Sequence, residues 1–495
     1  MKKGSLGVSI LTALVIGNMV GSGIFMIPAT LAKDASPAGA LWAWGLTGFG
    51  VLMLALVFGT LSLRKPEMTG GPQIYAKALV REGTERSKLL GYSVSWGYWV
   101  ANWAGNVAII TTFTGYLTTF LPVLTDEKLL FQFGSFRITI GNLLTFVVAS
   151  LLLWLVHTMI LKGIEGAGRI NLLATAAKVI GFVFFIVITL FVFQKSNLLP
   201  MEQQRVAHGV ALGLMGQINH GAMATLWPFI GVESAMVFSS RAKRRADVKI
   251  ATILGLLITI VIYISITLLV MGALPQHQLM NDTKPLVDAL NAAVGPVGRY
   301  PMAALGLVSL LGATIGWILL SAEVAYQASR QGLFPRVFGR ENKNGAQSTS
   351  LVITNVMAQV FLLSTLSQSI AAAFNFVIFI ATLSYLFPYA VAALYQLKLT
   401  VKGETYEGEK KARIIDGSIA FLGFAYAVWV IKAGTSDLRT FLFGVALLAA
   451  GLIFYPAVRK SRPVPTNESA PQTQPSAGTI AKAPQEAEFN PIQTH

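Results

Sequence analysis

Apolar runs of about twenty residues recur from residue 7 to residue 457, and no other feature restricts the fold so severely. As a helix, a run of that length crosses the roughly 30 Å hydrocarbon core of a bilayer. Only helices and closed barrels satisfy their backbone polar groups there. The runs are continuous rather than alternating, which excludes a barrel. Charged residues are 12% of the chain and hydrophobic residues 54%, about half the charge share of a soluble protein. The sequence predicts an all-α polytopic membrane protein.

Twelve transmembrane helices are expected, at residues 7–32, 39–63, 89–121, 139–160, 170–193, 216–239, 248–273, 297–329, 349–367, 369–396, 414–431 and 438–457. An even number puts both termini on one side. That side collects roughly three-quarters of the 38 Lys and Arg residues, so the positive-inside rule predicts cytoplasmic N- and C-termini. The formal charge of +16 is thereby explained by loops and implies no nucleic acid partner. The densest basic cluster, Arg241-Ala242-Lys243-Arg244-Arg245, follows the sixth span and reads as an orientation signal in contact with anionic lipid. The apolar run behind Met1-Lys2-Lys3 is too long for a signal peptide and lacks a small-x-small cleavage site, so it reads as the first span. Residues 458–495 form an expected disordered cytoplasmic tail, rich in Pro, Gln, Thr, Ala and Glu. Cysteine is absent and the five histidines show no ligand spacing, so no disulfide, metal or cofactor is expected. His157 reads as a polar residue facing the bundle.

Two spans are interrupted in corresponding places. The first reads Gly17-Asn18-Met19-Val20-Gly21-Ser22-Gly23-Ile24-Phe25-Met26-Ile27-Pro28, the second Thr225-Leu226-Trp227-Pro228-Phe229-Ile230-Gly231-Val232-Glu233-Ser234. Broken spans in matching positions of two halves point to the binding site of a secondary transporter. Gly17-x-x-x-Gly21 alone is also a helix-packing pattern. The added Ser22, Gly23 and Pro28 favour unwinding, because glycines lower the cost of leaving helical geometry. The amides of Ser22 and Gly23, heading the second half-helix, would face a carboxylate. In the second break Pro228 removes an amide and Gly231 permits unwinding, so carbonyls near Trp227 and Ile230 would suit an ammonium. Donors in one break and acceptors in the other match the backbone of an α-amino acid.

Intramembrane charges are costly and functional by default. Glu233, Glu323 and Lys178 are the three here; Glu233 is the candidate for proton exchange, the other two for coupling or for structural pairing. Aromatic residues Trp99, Trp103, Trp227 and Trp317 interleave with the breaks. Trp227 abuts one break and Trp317 lies mid-span, where a stacked cation gains on the order of 2 kcal/mol. No nucleophile, base or metal ligands cluster at one depth, as a membrane enzyme needs. No repeated polar ring lines a pore, as a channel needs.

Four segments, 17–25, 98–106 (Tyr-Trp-Val-Ala-Asn-Trp-Ala-Gly-Asn), 226–234 and 316–320 (Gly-Trp-Ile-Leu-Leu), resemble the bacterial basic amino acid/polyamine antiporters of the amino acid–polyamine–organocation superfamily. The resemblance runs through nearly all twelve spans. Arg64-Lys65-Pro66 and Phe238-Ser239-Ser240-Arg241-Ala242 are similar to the arginine/ornithine branch. It implies a LeuT-like fold: two inverted five-helix repeats, about 7–193 and 216–396, two extra helices within 414–457, and helices 1 and 6 broken. It also implies a multi-pass protein of the bacterial plasma membrane, small-molecule amino acid substrates and a homodimer.

By that resemblance Ser22 and Gly23 hold the substrate carboxylate, and carbonyls of Met19, Trp227 and Ile230 hold its amino group. Asn106, Trp317 and the Ala101-Asn102 backbone line the side-chain end. Trp227 gates the substrate, Glu233 belongs to an outer gate, and Lys178 takes the place of a sodium ion. Phe379 stands where arginine/agmatine exchangers carry a serine, and Asn102 where they carry a small sulfur-containing residue. Glu323 is acidic where that subgroup is neutral and is a candidate counter-charge. The expected function is arginine/ornithine antiport by alternating access. The alternatives are exchange of an amino acid for its decarboxylation amine, and proton-coupled symport of a neutral amino acid through Lys178.

Overall fold

The computed structural model describes residues 7–459 apart from 69–71, 82, 135, 163–166, 208–209, 234–241 and 344. Residues 460–495 of the expected tail, Ser234 and residues 238–241 lie outside the described residues.

Long helices dominate. After α1 (Val8–Met19) and α2 (Gly23–Asp34) come α3 (Pro37–Arg64), the short α4 (Pro72–Leu79) and the 33-residue α5 (Glu85–Leu117). Then follow α6 (Ile140–Lys162), α7 (Ala167–Val192) and α8 (Leu214–Leu226). The chain continues with α9 (Arg245–Ala273), the short α10 (Pro285–Val294) and the 35-residue α11 (Pro296–Arg330). It closes with α12 (Ser348–Leu362), α13 (Ile370–Lys402), α14 (Lys410–Gly434) and α15 (Leu438–Ala450). Among the described residues strands are confined to two loop hairpins, β1 (Leu129–Phe133) with β2 (Phe136–Thr139) and β3 (Arg205–Ala207) with β4 (Val210–Leu212).

Capping follows the sequence. Ser36 accepts the Gly39 amide ahead of Pro37, Thr84 accepts that of Ser87, and Ser369 accepts that of Ala372. Gly403, at φ 72°, ends α13 in the left-handed region.

Eight helices are long and apolar enough to cross a membrane, and the α1–α2 pair, bent by 46°, makes a ninth among the described residues. Helices also stand at the three other expected spans, α5, α7 and α8, but are not among these nine: α7 counts only as a shorter apolar helix over Ala177–Val192, and α8 has 13 residues. The reason at α5 is position. From Tyr92 to Ile110 nearly every side chain is buried, so the helix meets protein rather than lipid and carries Asn102, Asn106 and a run of threonines. Lipid-facing helices do the reverse. On α7, Val179, Ile180, Val183, Val187, Leu190 and Phe191 are exposed, and α9 bares Leu254, Leu257, Ile258 and Val261. Apolar bands of this extent on an outer surface fit a bilayer.

Helix α14 and the loop before it are tied to the end of α3. Arg64 pairs with Glu409 at 2.9 Å and Asp416 at 3.3 Å, and Lys65 pairs with Glu404 at 2.6 Å. The Lys65 ammonium holds the Glu404 carboxyl below the usual carboxylate range. Arg64 also lies 3.6 Å from the centre of the Tyr406 ring.

Candidate functional site

The breaks form where the sequence puts them, and they meet. Helix α1 stops at Met19, whose carbonyl accepts the Gly21 amide at 2.8 Å. Ser22 then caps α2, with Gly23 its first residue. The Ser22 and Gly23 amides therefore stand at the positive end of a helix. The Ser22 hydroxyl is buried with no hydrogen-bond partner among the described residues. Helix α8 stops at Leu226 and tightens into a 3-10 turn at Trp227–Phe229, where Ile230 N–H donates to the Trp227 carbonyl at 3.1 Å. Gly231 then takes φ +104°, a conformation L side chains rarely adopt.

Two close approaches lock the breaks together. A Cβ on Gly23 would lie 2.6 Å from Pro228 Cγ, and one on Gly231 would lie 3.2 Å from the Asn18 carbonyl carbon. A Cβ on Gly17 would touch nothing within 4 Å. The Gly17-x-x-x-Gly21 spacing thus serves the break rather than close helix packing at Gly17.

Glu233 is 3% exposed and accepts three hydrogen bonds: Tyr98 OH at 3.1 Å, Tyr389 OH at 2.7 Å and Gly231 N–H at 3.1 Å. Its carboxylate therefore pins the loop that carries Gly231 to α5 and α13. Lys178 Nζ donates to the Gly17 carbonyl at 3.1 Å, in the last turn of α1, where a cation meets the negative helix end.

Trp227 and Trp317 lie 5.9 Å apart, with Gly105 between them; a Cβ there would come within 2.8 Å of Trp227. Trp317 also borders Gly21, whose Cβ position is 4.0 Å from its Nε1. Asn106 donates to Ser321 Oγ at 3.0 Å, which donates in turn to the Trp317 carbonyl at 2.7 Å. Asn102 donates to the Tyr98 carbonyl at 2.7 Å. Both asparagines keep a buried carbonyl oxygen without a donor among the described residues, one turn apart on α5, with Ala101 fully buried beside them. Two unpaired acceptors at helical spacing suit a cationic group.

A cavity of about 1030 Å³ is lined among others by Thr30, Lys33, His220, Met223, Asn375 and Phe379. Trp227, one turn beyond Met223, is buried at 4% exposed.

Glu233 follows the 3-10 turn that carries Trp227 and is held between α5 and α13 by Tyr98 and Tyr389. Glu323 accepts hydrogen bonds from Gln327 and Gln347, just ahead of α12, so its charge is already engaged away from the Trp pair. The Met19 carbonyl is doubly engaged, by Gly21 N–H and by the Tyr263 hydroxyl at 2.8 Å. Phe379 sits in the cavity wall near Gly434, 3.4 Å from that residue's Cβ position. The structure also gives partners to residues with no role in the sequence analysis. Tyr98 and Tyr389 serve Glu233, Ser321 joins Asn106 to Trp317, and Tyr263 reaches both breaks. A hydroxyl inside an apolar run is the only local signal such residues give. His157 faces inward as expected, 3.0 Å from Asn355.

A family model described as amino acid permease matches residues 6–455. A Bacillus subtilis (strain 168) protein named "Putative arginine/ornithine antiporter" is 51% identical over 456 residues, covering 91% of this chain and 96% of its own length. The arginine/ornithine antiporter of Pseudomonas aeruginosa is 36% identical, covering 90% and 89%. The arginine/agmatine antiporter of Chlamydia pneumoniae is 33% identical, covering 91% and 89%. The chain belongs to the amino acid permease family of integral membrane transporters.

Proposed function

We propose that this permease is an antiporter exchanging arginine inward for ornithine outward by alternating access. The observation that carries the reading is the meeting of the two breaks, α2 amides on one side and carbonyls of the turn after α8 on the other, with a tryptophan pair beside them and two asparagine oxygens that have no donor among the described residues. The names of the 51% and 36% identical relatives support the same substrates.

In this reading Ser22 and Gly23 receive the substrate carboxylate at the positive end of α2. The carbonyls of Met19, Trp227 and Ile230 receive its ammonium. The side chain extends toward Trp317, Ala101, Asn102 and Asn106, where the cation stacks on the indole and donates to the asparagine oxygens. Trp227 is the gate between cavity and site. Tyr98, Glu233 and Tyr389 hold the opposite side shut, and Lys178 supports the end of α1 where other carriers use an ion. The frame for this motion is twelve spans in two inverted repeats, 7–193 and 216–396, with the 414–457 pair outside them. Both termini lie in the cytoplasm of a bacterial cell, and the cavity opens outward. Phe379, in the cavity wall, filters substrates at entry.

Counterflow in proteoliposomes tests the exchange. Labelled arginine is offered outside, with ornithine, agmatine, a neutral amino acid or buffer inside. Uptake driven by ornithine supports the reading. Uptake driven only by agmatine moves the chain to precursor/amine exchange, a second reading favoured by the 33% identical arginine/agmatine antiporter. Uptake into buffer-filled vesicles under a proton gradient overturns antiport. Trp317→Leu is expected to weaken arginine about thirtyfold, the scale of a desolvated cation–π contact of about 2 kcal/mol, and a small neutral amino acid far less. Equal losses would sink the stacking assignment.

A further inference from the structure

The Tyr263 hydroxyl lies 2.8 Å from the Met19 carbonyl oxygen and 2.8 Å from the Pro228 carbonyl oxygen. Those oxygens belong to different breaks. A phenol carries a single proton, so it fully serves one of them at a time. The position is built rather than incidental. Tyr263 is 0% exposed, its ring is 5.3 Å from both Trp44 and Phe229, and Trp44 Nε1 donates to Thr267 Oγ1 at 3.1 Å. One turn of α9 thus supplies both the tie and its support.

We propose that Tyr263 is a positioning residue that ties the two breaks in the empty carrier and hands one of them over when substrate arrives. The inference rests on the exchange reading above. The Met19 carbonyl already accepts the Gly21 amide at 2.8 Å, so its second lone pair is the one shared with the phenol. An α-ammonium arriving at Met19 takes that lone pair. The phenol proton then goes wholly to the Pro228 carbonyl, while its oxygen offers a lone pair to the ammonium. Without substrate, α1–α2 and the α8 turn cannot part without losing a buried hydrogen bond. With substrate, the ammonium replaces the shared proton and the breaks are released to move. Tyr263 thereby couples rocking to occupancy, which is what separates an exchanger from a leak.

The test is efflux of labelled arginine from loaded proteoliposomes into buffer and into ornithine. The unsubstituted protein is expected to empty far faster into ornithine. Tyr263→Phe is expected to raise efflux into buffer about tenfold, equivalent to about 1.4 kcal/mol, and to cut the ratio of the two rates by a similar factor. Thr267→Val, which keeps the hydroxyl and loosens only its support, should leave that ratio unchanged even if both rates or the melting temperature fall. A Tyr263→Phe protein with both rates reduced in proportion overturns the proposal, because the residue then acts on the fold alone. A variant that no longer runs as a monodisperse particle overturns it for the same reason. If the unsubstituted protein shows no ornithine stimulation, the exchange reading falls and takes the tie with it. A stimulated parent with an equally stimulated variant removes only the tie.

Discussion

The two breaks use glycine for opposite purposes. Between α1 and α2 the backbone angles are ordinary, and no glycine there has positive φ. Gly23 is required because Pro228 occupies the place of its Cβ. After α8 the requirement is conformational first, since Gly231 sits at φ +104°, and steric second, through Asn18. The first break is a socket shaped by absence of side chains. The second is a bent backbone held by a carboxylate with three donors. Two breaks that both rest on glycine are therefore maintained by different forces.

Substitutions can break or sharpen that contrast. Gly231→Ala should be the most damaging, combining strained backbone at about 1–3 kcal/mol with the Asn18 contact; thermal unfolding in detergent and exchange should both collapse. Gly23→Ala should cost about 1–3 kcal/mol by overpacking alone, with exchange reduced more than melting temperature because Pro228 is pushed from the site. If Gly23→Ala proves worse than Gly231→Ala in unfolding, the conformational account of the second break is wrong. Glu233→Gln should cost about 1–2 kcal/mol, since one amide cannot accept from all three donors. Thermal unfolding in detergent would register the loss, and an unchanged melting temperature would count against it. Gly17→Ala should be the mildest. Its Cβ meets nothing within 4 Å, and alanine gains up to about 1 kcal/mol in helix propensity, so a melting temperature at or above that of the parent is expected with exchange retained.

Much of this was legible beforehand, for physical reasons. Composition and run length reveal helices that face lipid, because the solvent itself selects their residues. Glycine and proline revealed both breaks, because each removes a specific backbone constraint. Burial hides the rest. Helix α5 contacts protein on every side and escapes the hydropathy test despite its 33 residues. Tyr98 and Tyr389 are far from Glu233 in sequence and come to it only through packing. Glu323 was open to coupling or structural pairing, and only the fold brings Gln347 to it beside Gln327. Tyr263 occupies an ordinary place in an apolar run, and nothing local marks its two carbonyl partners.

The burial of α5 also bears on how the chain is made. A helix with two asparagines and several threonines at mid-span has a weak claim on lipid by itself, since polar residues lower the gain from insertion. Its packing partners α11 and α13 begin at residues 296 and 370, long after α5 leaves the ribosome. During synthesis, α5 therefore spends the translation of more than half the chain without its final surroundings. Biogenesis then depends on whatever shelters α5 in the interim, earlier helices or the insertion machinery. The helix that carries the asparagine pair is the one the membrane accepts least readily.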